Sequence, residues 1–405
     1  MRTCSSLPRM PGTNLAGHVT ESAIVGLGMS ELGRVYGKSA TSLAADAIRA
    51  ALADAGLTLD DMDGLLVSHG LANDVSVNLA SVLGLHDLGV LAQVNAYGAT
   101  AGVMIAMAAQ AIDSGAASIV ACVFADAPLQ PRVRSGAAYG GGVRQLRGFA
   151  GLQTAAGVTN PNIWYALAAR RHMERYGTTS EQLGAIAVAQ RGWAAGNPLA
   201  TMRTPLTLAD HQASRWIAEP LHLLDCCLVT NGAIAVLVTS AQSAALTRRP
   251  PVHVWGYGQA HTLRQMHADS SWGFVTGAVD AGRQAMSMAG ISPGDVTVCQ
   301  LYDCYTYTVL VTLEDYGFCA KGEGGSFVAD GRLAPGGALP CNTGGGQLSG
   351  YYMWGMTPLA EAVIQARRDG GQRQVPNPEI VLVSGNGGIL EHHSTLVLSP
   401  HRRTA

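Results

Sequence analysis

The sequence predicts an α/β chain built as two similar βαβαβ halves, with a loop region inserted in the first. Three observations carry this. Short, fully apolar strand patterns alternate with alanine- and leucine-rich helical patterns, which argues for sheets covered by helices. An internal repeat pairs Asp46-Ala-Ile-Arg-Ala-Ala-Leu-Ala-Asp-Ala-Gly56 with Asp280-Ala-Gly-Arg-Gln-Ala-Met-Ser-Met-Ala-Gly290; Asp, Ala, Arg, Ala, Ala and Gly recur in register. The register runs on from Asp61 and Asp295 to Val67 and Leu301. Further along, Asn95 is echoed by Asn342, and Ile119-Val-Ala-Cys-Val by Ile380-Val-Leu-Val-Ser.

Residues 1–18 read as a flexible lead-in. The first half, 19–250, opens with an apolar strand over 22–28. A helix over 42–55 follows, closed by Gly56. A turn at 60–63 leads into a buried strand over 64–68. The apolar run 101–112 is too short to span a membrane. The insertion, 128–215, holds a loop at 139–142 and a helix over 162–176 carrying Arg170, Arg171 and His172. An apolar strand pattern at 119–124 precedes the insertion.

The second half, 251–405, holds the most informative stretch. A strand through Val296, Val298 and Leu301 delivers Tyr302, Asp303 and Cys304. A helix through Leu310, Leu313 and Tyr316 is stopped by Gly317. Then come Asn342-Thr-Gly-Gly-Gly346 and Ser349-Gly-Tyr-Tyr-Met-Trp-Gly355. Glycines this dense let a backbone approach a ligand or turn with positive φ. A buried phenol beside them needs a partner for its hydroxyl.

Composition narrows the function classes. Apolar residues make up 48% and charged residues 13%, enough for a large core and apolar interfaces. A net charge of −2 without a basic run argues against nucleic acid as a partner. Met1-Arg-Thr-Cys-Ser-Ser-Leu lacks a signal-peptide core. The eight cysteines show no metal-ligand spacing, so the expectation is no metal, free thiols and a cytoplasmic setting.

The duplicated halves, the Asn95 and Asn342 loops and Gly385-Asn-Gly-Gly388 resemble the thiolase superfamily over roughly residues 22–400. Arg170-Arg-His-Met-Glu-Arg-Tyr-Gly-Thr-Thr179, Glu219-Pro-Leu-His-Leu-Leu-Asp225 and Tyr302-Asp-Cys-Tyr305 are most similar to the sterol carrier protein x type. So are Leu313-Glu-Asp-Tyr-Gly-Phe318 and Lys321-Gly-Glu-Gly-Gly-Ser-Phe327. The resemblance implies the thiolase fold, five layers in the order αβαβα, and a homodimer, for which the strand at 119–124 is a candidate interface.

The departures from the family pattern bear on the reaction. A thiolase uses a cysteine nucleophile at a helix N-terminus, where amides and dipole favour the thiolate. Within Val94-Asn-Ala-Tyr-Gly-Ala-Thr-Ala-Gly102 that place falls on Gly98. The activating histidine is replaced at Tyr351 or Tyr352, and the second cysteine around Ser384 and Gly385. Covalent acyl transfer by the usual route is therefore not expected.

Tyr302-Asp303 and Tyr352-Met-Trp-Gly355 resemble motifs of thiolase-like aldolases that cleave steroid side chains as CoA thioesters. A retro-aldol step needs a base for the β-hydroxyl and a donor or acid for the departing enolate, but no nucleophile. Tyr302 and Tyr352 are the candidate catalytic pair, with acid and base unassigned. The bland alternative is that they fill space in an inactive relative. Candidate substrate contacts are Asn342, Gly345, Gly346, Gly387, Gly388, Tyr97 and Gly98, the glycines as an N–H cradle for the thioester. Asp303 suits a turn or structural role, Cys304 the core, and Tyr97 packing. His392 and His393 fit a surface turn; His172 fits a solvated helix face better than a contact to CoA phosphates.

The expected activity is retro-aldol cleavage of a β-hydroxyacyl-CoA to a ketone and a shorter acyl-CoA. The alternatives are acyl transfer by a route without cysteine and a non-catalytic subunit. No cofactor is expected beyond coenzyme A as part of the substrate. The resemblance also implies a small partner protein with an OB-fold and a zinc ribbon, and the unfinished look of the 139–142 loop agrees with one.

Overall fold

A computed structural model describes residues 22–72, 74–136, 148–264 and 270–403. The lead-in at 1–18 and the 139–142 loop lie outside the described residues. The strands of the main sheet are β1 (Ser22–Met29), β2 (Gly64–His69), β3 (Val90–Gln93), β4 (Ile119–Asp126) and β5 (Gly232–Ser240), then β6 (Val252–His261), β7 (Val298–Gln300), β8 (Val381–Gly387) and β9 (His392–Ser399). The longer helices are α1 (Ala40–Ala55), α2 (Thr100–Asp113), α3 (Pro161–Tyr176), α4 (Ser180–Ala195), α5 (Ala278–Ala289), α6 (Thr306–Asp315) and α7 (Met356–Ala366).

The strand order is β3-β2-β4-β5-β1-β6-β9-β8-β7. Its two sides mirror each other. In the first half β1 pairs antiparallel with β5, β5 antiparallel with β4, and β4 and β3 lie parallel to β2. In the second, β6 pairs antiparallel with β9, β9 antiparallel with β8, and β8 parallel with β7. A parallel bridge from Cys299 to Cys341 stands where β3 stands in the first half. The halves join through a short antiparallel contact, Ala23 with His253 and Ile24 with Val252.

The sequence repeat has a packing cause. A Cβ on Gly28 or Gly26 of β1 would meet the carbonyl oxygens of Ala47 and Ala51, at 2.1 and 2.5 Å. On β6, Gly258 and Gly256 meet those of Ala281 and Ala285 at 2.2 and 2.1 Å. Glycine facing alanine in the same register lets α1 and α5 lie directly on their strands. Ser39 caps α1 by accepting from Ser42 N, and Gly56 closes it at φ 74°.

Three apolar clusters give the layering. One lies between α1 and the outer face of the first half. The central one holds α2 and α7 between the two sheet halves, and the third packs α3, α4, α5 and α6 on the outer face of the second. β8 shows the division: Val381 and Val383 face the central layer and Leu382 the outer one.

Three expectations are corrected. β4 lies between β2 and β5 and is almost wholly buried, so it offers no edge for a dimer; the outer strand is β3, where Leu91 is exposed. His172 is fully buried rather than solvated, bonded to Thr178 at 2.9 Å and Glu314 at 3.1 Å, and meets no open surface for a phosphate. His392 and His393 belong to β9 rather than a surface turn, and His393 is buried.

Candidate active site

β7 ends at Gln300, and four side chains fix the segment that leaves it. Asn342 Oδ1 accepts from Leu301 N at 2.7 Å, and Ser384 Oγ accepts from Tyr302 N at 2.9 Å. The Thr308 hydroxyl lies 2.9 Å from the Tyr302 carbonyl. Buried Asp225 takes hydrogen bonds from Thr306 Oγ1, His211 and His222 N, at 2.6, 3.0 and 2.7 Å, and so holds the first turn of α6. Asp303 turns the other way. Its carboxyl accepts from Gln347 N at 2.8 Å and Leu348 N at 3.3 Å, clamping the turn that follows the glycine run. Burial pushes this carboxyl up to about 7, against the pull of those two N–H donors.

The turn delivers Tyr352. Thr230 Oγ1 accepts from Tyr352 N at 2.9 Å and donates to Tyr352 O at 3.0 Å. With both backbones held, Tyr302 Oη and Tyr352 Oη lie 3.1 Å apart, a hydrogen bond in which either can donate. Tyr302 is buried and Tyr352 half-buried.

Gly98 sits one residue before the N-cap of α2. A Cβ there would lie 2.3 Å from Cε2 and Cζ of Tyr302 and 2.1 Å from the Asn386 carbonyl. The Tyr302 ring thus occupies the volume a nucleophilic side chain at this position would need. Space filling is real, but the same ring also carries its hydroxyl onto that of Tyr352.

The chain as a whole is similar to known proteins. The family described as thiolase C-terminal domain-like matches residues 258–400. A steroid side-chain-cleaving aldolase of Thermomonospora curvata is 38% identical over 378 residues, covering 90% of this chain and 95% of that protein. A 17-hydroxy-3-oxo-4-pregnene-20-carboxyl-CoA lyase of Mycobacterium tuberculosis is 37% identical, with 91% and 97% covered. The solved Ltp2-ChsH2(DUF35) aldolase superposes with a TM-score of 0.85 at 37% identity, over 97% of this chain and 100% of that one. This chain belongs to the thiolase-like aldolases.

The two glycine loops of this aldolase do different work. Gly345 and Gly346 take φ of 91° and 57°, and a Cβ on them would strike Ala194 of α4 and the Asp303 carboxyl. The Gly345 N–H is spent on the Asn342 carbonyl at 2.8 Å. This run packs inward, and Asn342 is buried as an anchor for Leu301. The second loop does reach the vacated turn. A Cβ on Gly387 would lie 2.6 Å from Tyr97 Cβ and 2.9 Å from Gly98 N; Gly388 turns back at φ 60°.

Tyr97 stacks on His392 at 5.8 Å and stands 6.2 Å from Trp354, half exposed at the rim. Burial, then the neighbouring His261, lowers the pKa of His392. The thiols are poor nucleophiles: burial pushes Cys304 up to about 12 and Cys122 higher still. Thr230, Ser384 as the Tyr302 anchor, and Trp354 were not picked out as functional by the sequence. Ser384 carried a signal only as the place of the missing second cysteine, and Trp354 only as part of Tyr352-Met-Trp-Gly355. No group of three or more metal-ligating side chains occurs among the described residues.

Proposed function

We propose that this aldolase cleaves a β-hydroxyacyl-CoA by retro-aldol chemistry, with the side chain of a steroid as its substrate. The observation that carries the reading is the 3.1 Å contact of the two tyrosine hydroxyls above Gly98. One tyrosine takes the proton of the substrate's β-hydroxyl as its own hydroxyl proton passes to the other tyrosine. The Cα–Cβ bond breaks, its electron pair moves into the thioester enolate, and Cβ becomes the ketone carbon. Protonation at Cα, through the second phenol, gives the shorter acyl-CoA. Two hydrogen-bonded phenols suit this relay, since one stabilises negative charge on the other. The positive end of α2, which starts beside the Tyr302 ring, favours a phenolate or enolate in the same place.

Asn342, Gly345 and Gly346 enter this reading as supports of the Tyr352 turn. Tyr97, Gly98, Gly387 and Gly388 border the reacting groups and are proposed to contact the thioester. The chemistry is assigned to side chains, with coenzyme A entering as part of the substrate. Acyl transfer has less support, because Gly98 leaves no room for an acyl acceptor.

The similar solved aldolase names a second component, ChsH2(DUF35). We extend this to a partner protein here, of the OB-fold and zinc-ribbon kind, acting with a homodimer in the cytoplasm. Among the described residues no helix is long and apolar enough to cross a membrane. The test incubates the chain, alone and with its partner, with a steroid β-hydroxyacyl-CoA and no free CoA. Ketone and shorter acyl-CoA in equal amounts are expected. A strict need for free CoA, or no turnover with the partner present, overturns the reading.

A further inference from the structure

Two histidines meet at the rim beyond Tyr97. His261 ends β6 and His392 begins β9, and they stand directly opposite each other in the antiparallel ladder. Direct cross-strand partners point to the same face, with Cβ atoms about 4.5–5.5 Å apart. The ladder fixes this pairing, running through eight pairs from His261 with His392 to His253 with Ser399. Just past the pair, Thr262 N donates to Glu391 O at 2.8 Å, so both backbones are held on either side. The histidines lie 131 residues apart, so no spacing motif announces them.

The two rings are set as closely as their backbones. Nδ1 of His261 and Nδ1 of His392 lie 3.0 Å apart, with ring centroids 5.1 Å apart and planes tilted by 58°. Each nitrogen thus points at the other. One Nδ1 carries the shared hydrogen and the other accepts it with its lone pair. His261 is exposed and His392 half-buried, so solvent reaches the pair from one side. The other side is closed by a ring, for Tyr97 stacks on His392 with centroids 5.8 Å apart and planes 13° apart.

A metal ion needs nearly this arrangement. Metal–nitrogen bonds of about 2.0–2.1 Å at a tetrahedral angle place two imidazole donors about 3.3–3.4 Å apart. The pair reaches that spacing by parting roughly 0.3–0.4 Å, with a small tilt of the rings. We propose that His261 and His392 bind one divalent transition-metal ion, of the zinc, nickel or copper class, through their Nδ1 atoms. The ring that donates the hydrogen bond moves its hydrogen from Nδ1 to Nε2, and the ion takes the place between the two nitrogens. Imidazole suits these ions, whereas magnesium and calcium take oxygen ligands. Water fills the remaining positions, since among the described residues no third His, Cys, Asp or Glu is grouped with the pair.

The experiment titrates the full chain, free of any histidine tag and with its reactive thiols alkylated, with Zn²⁺ and Ni²⁺ by calorimetry. Mg²⁺ is the control. One Zn²⁺ or Ni²⁺ per chain is expected, and no Mg²⁺. Loss of a group that merely orients a ligand typically costs about 10–100-fold in metal affinity. His261→Gln and His392→Gln, which remove a ligand itself, are therefore each expected to weaken binding about tenfold or more. His86→Gln, at an exposed histidine beside Asp87 in the first half, is expected to leave binding unchanged. A crystal of the unsubstituted chain soaked in Ni²⁺ locates the ion however the variants fold, and an anomalous peak between the two Nδ1 atoms is expected. A peak elsewhere, or none, overturns the site. So does unchanged affinity in either folded variant, or Mg²⁺ bound as well as Zn²⁺.

Discussion

The Asn95 turn and the Asn342 turn occupy matching places in the two halves, and they have diverged in what they carry. Asn95 is exposed, and its Oδ1 accepts from Tyr97 N at 2.9 Å, closing a local turn into α2. Asn342 is buried, and its Oδ1 reaches across to Leu301 N, tying two segments of the active site together. Each turn holds a non-glycine residue at φ 52°, Tyr97 in one and Asn342 in the other. The first carries no reactive side chain at Gly98, whose Cβ place is taken up by the Tyr302 ring. The second continues into Tyr352, to which the proposed chemistry is assigned. Duplication kept two scaffolds, and the chemistry proposed here moved onto the second.

The sharpest way to break this contrast is to remove the hydroxyls that the second half supplies. Tyr302→Phe and Tyr352→Phe are each expected to lower turnover by ~10²–10⁴ while leaving the fold intact. The double variant should lose little more than the worse single one, because both act on one proton path. Steady-state rates with binding measured in parallel decide it; near-normal turnover in both singles removes the pair from catalysis.

A smaller effect is expected from refilling the first half. Gly98→Cys must displace the Tyr302 ring or the Asn386 carbonyl, and overpacking of this kind costs ~1–3 kcal/mol. A lowered melting temperature, weaker cleavage and no acyl-enzyme by mass spectrometry are expected. A stable variant that accumulates an acyl-enzyme would show that the two halves still exchange roles.

Asp303 offers a gentler probe of the second turn. Its folded-state carboxyl sits near 7, above the ordinary value of 3.8. The folded state therefore holds a proton that the unfolded state has released, and this contribution to stability declines as pH rises from about 4 to about 7. Asp303→Asn keeps an acceptor for Gln347 N and should flatten that slope. Chemical denaturation across the interval reads it, and an unchanged slope assigns the titration elsewhere.

The smallest expected effect is from thiol alkylation under native conditions. With no thiol in the vacated turn and Cys304 held up to about 12, activity should survive. Stoichiometric loss tied to one labelled cysteine would return a nucleophile to the mechanism.

The order of strands and helices was legible in the sequence because apolar periodicity and the Asp46 and Asp280 repeats report packing within a half. The tyrosines were legible as residues in motifs, and Gly98 as a missing nucleophile. Their 3.1 Å meeting was not, since it depends on hydrogen bonds that Thr230, Ser384 and Asp303 make to backbone far from them in the chain. The glycine runs looked alike as composition, yet one packs against α4 and the other against the Tyr97 turn. His172 and His393, read as exposed from short windows, are buried because helix and strand neighbours from distant segments close over them. Sequence by itself determined which elements form and which chemical groups are present or absent. Only the tertiary structure decided which of those groups face one another, because that is set by backbone hydrogen bonds and side-chain volumes contributed from both halves.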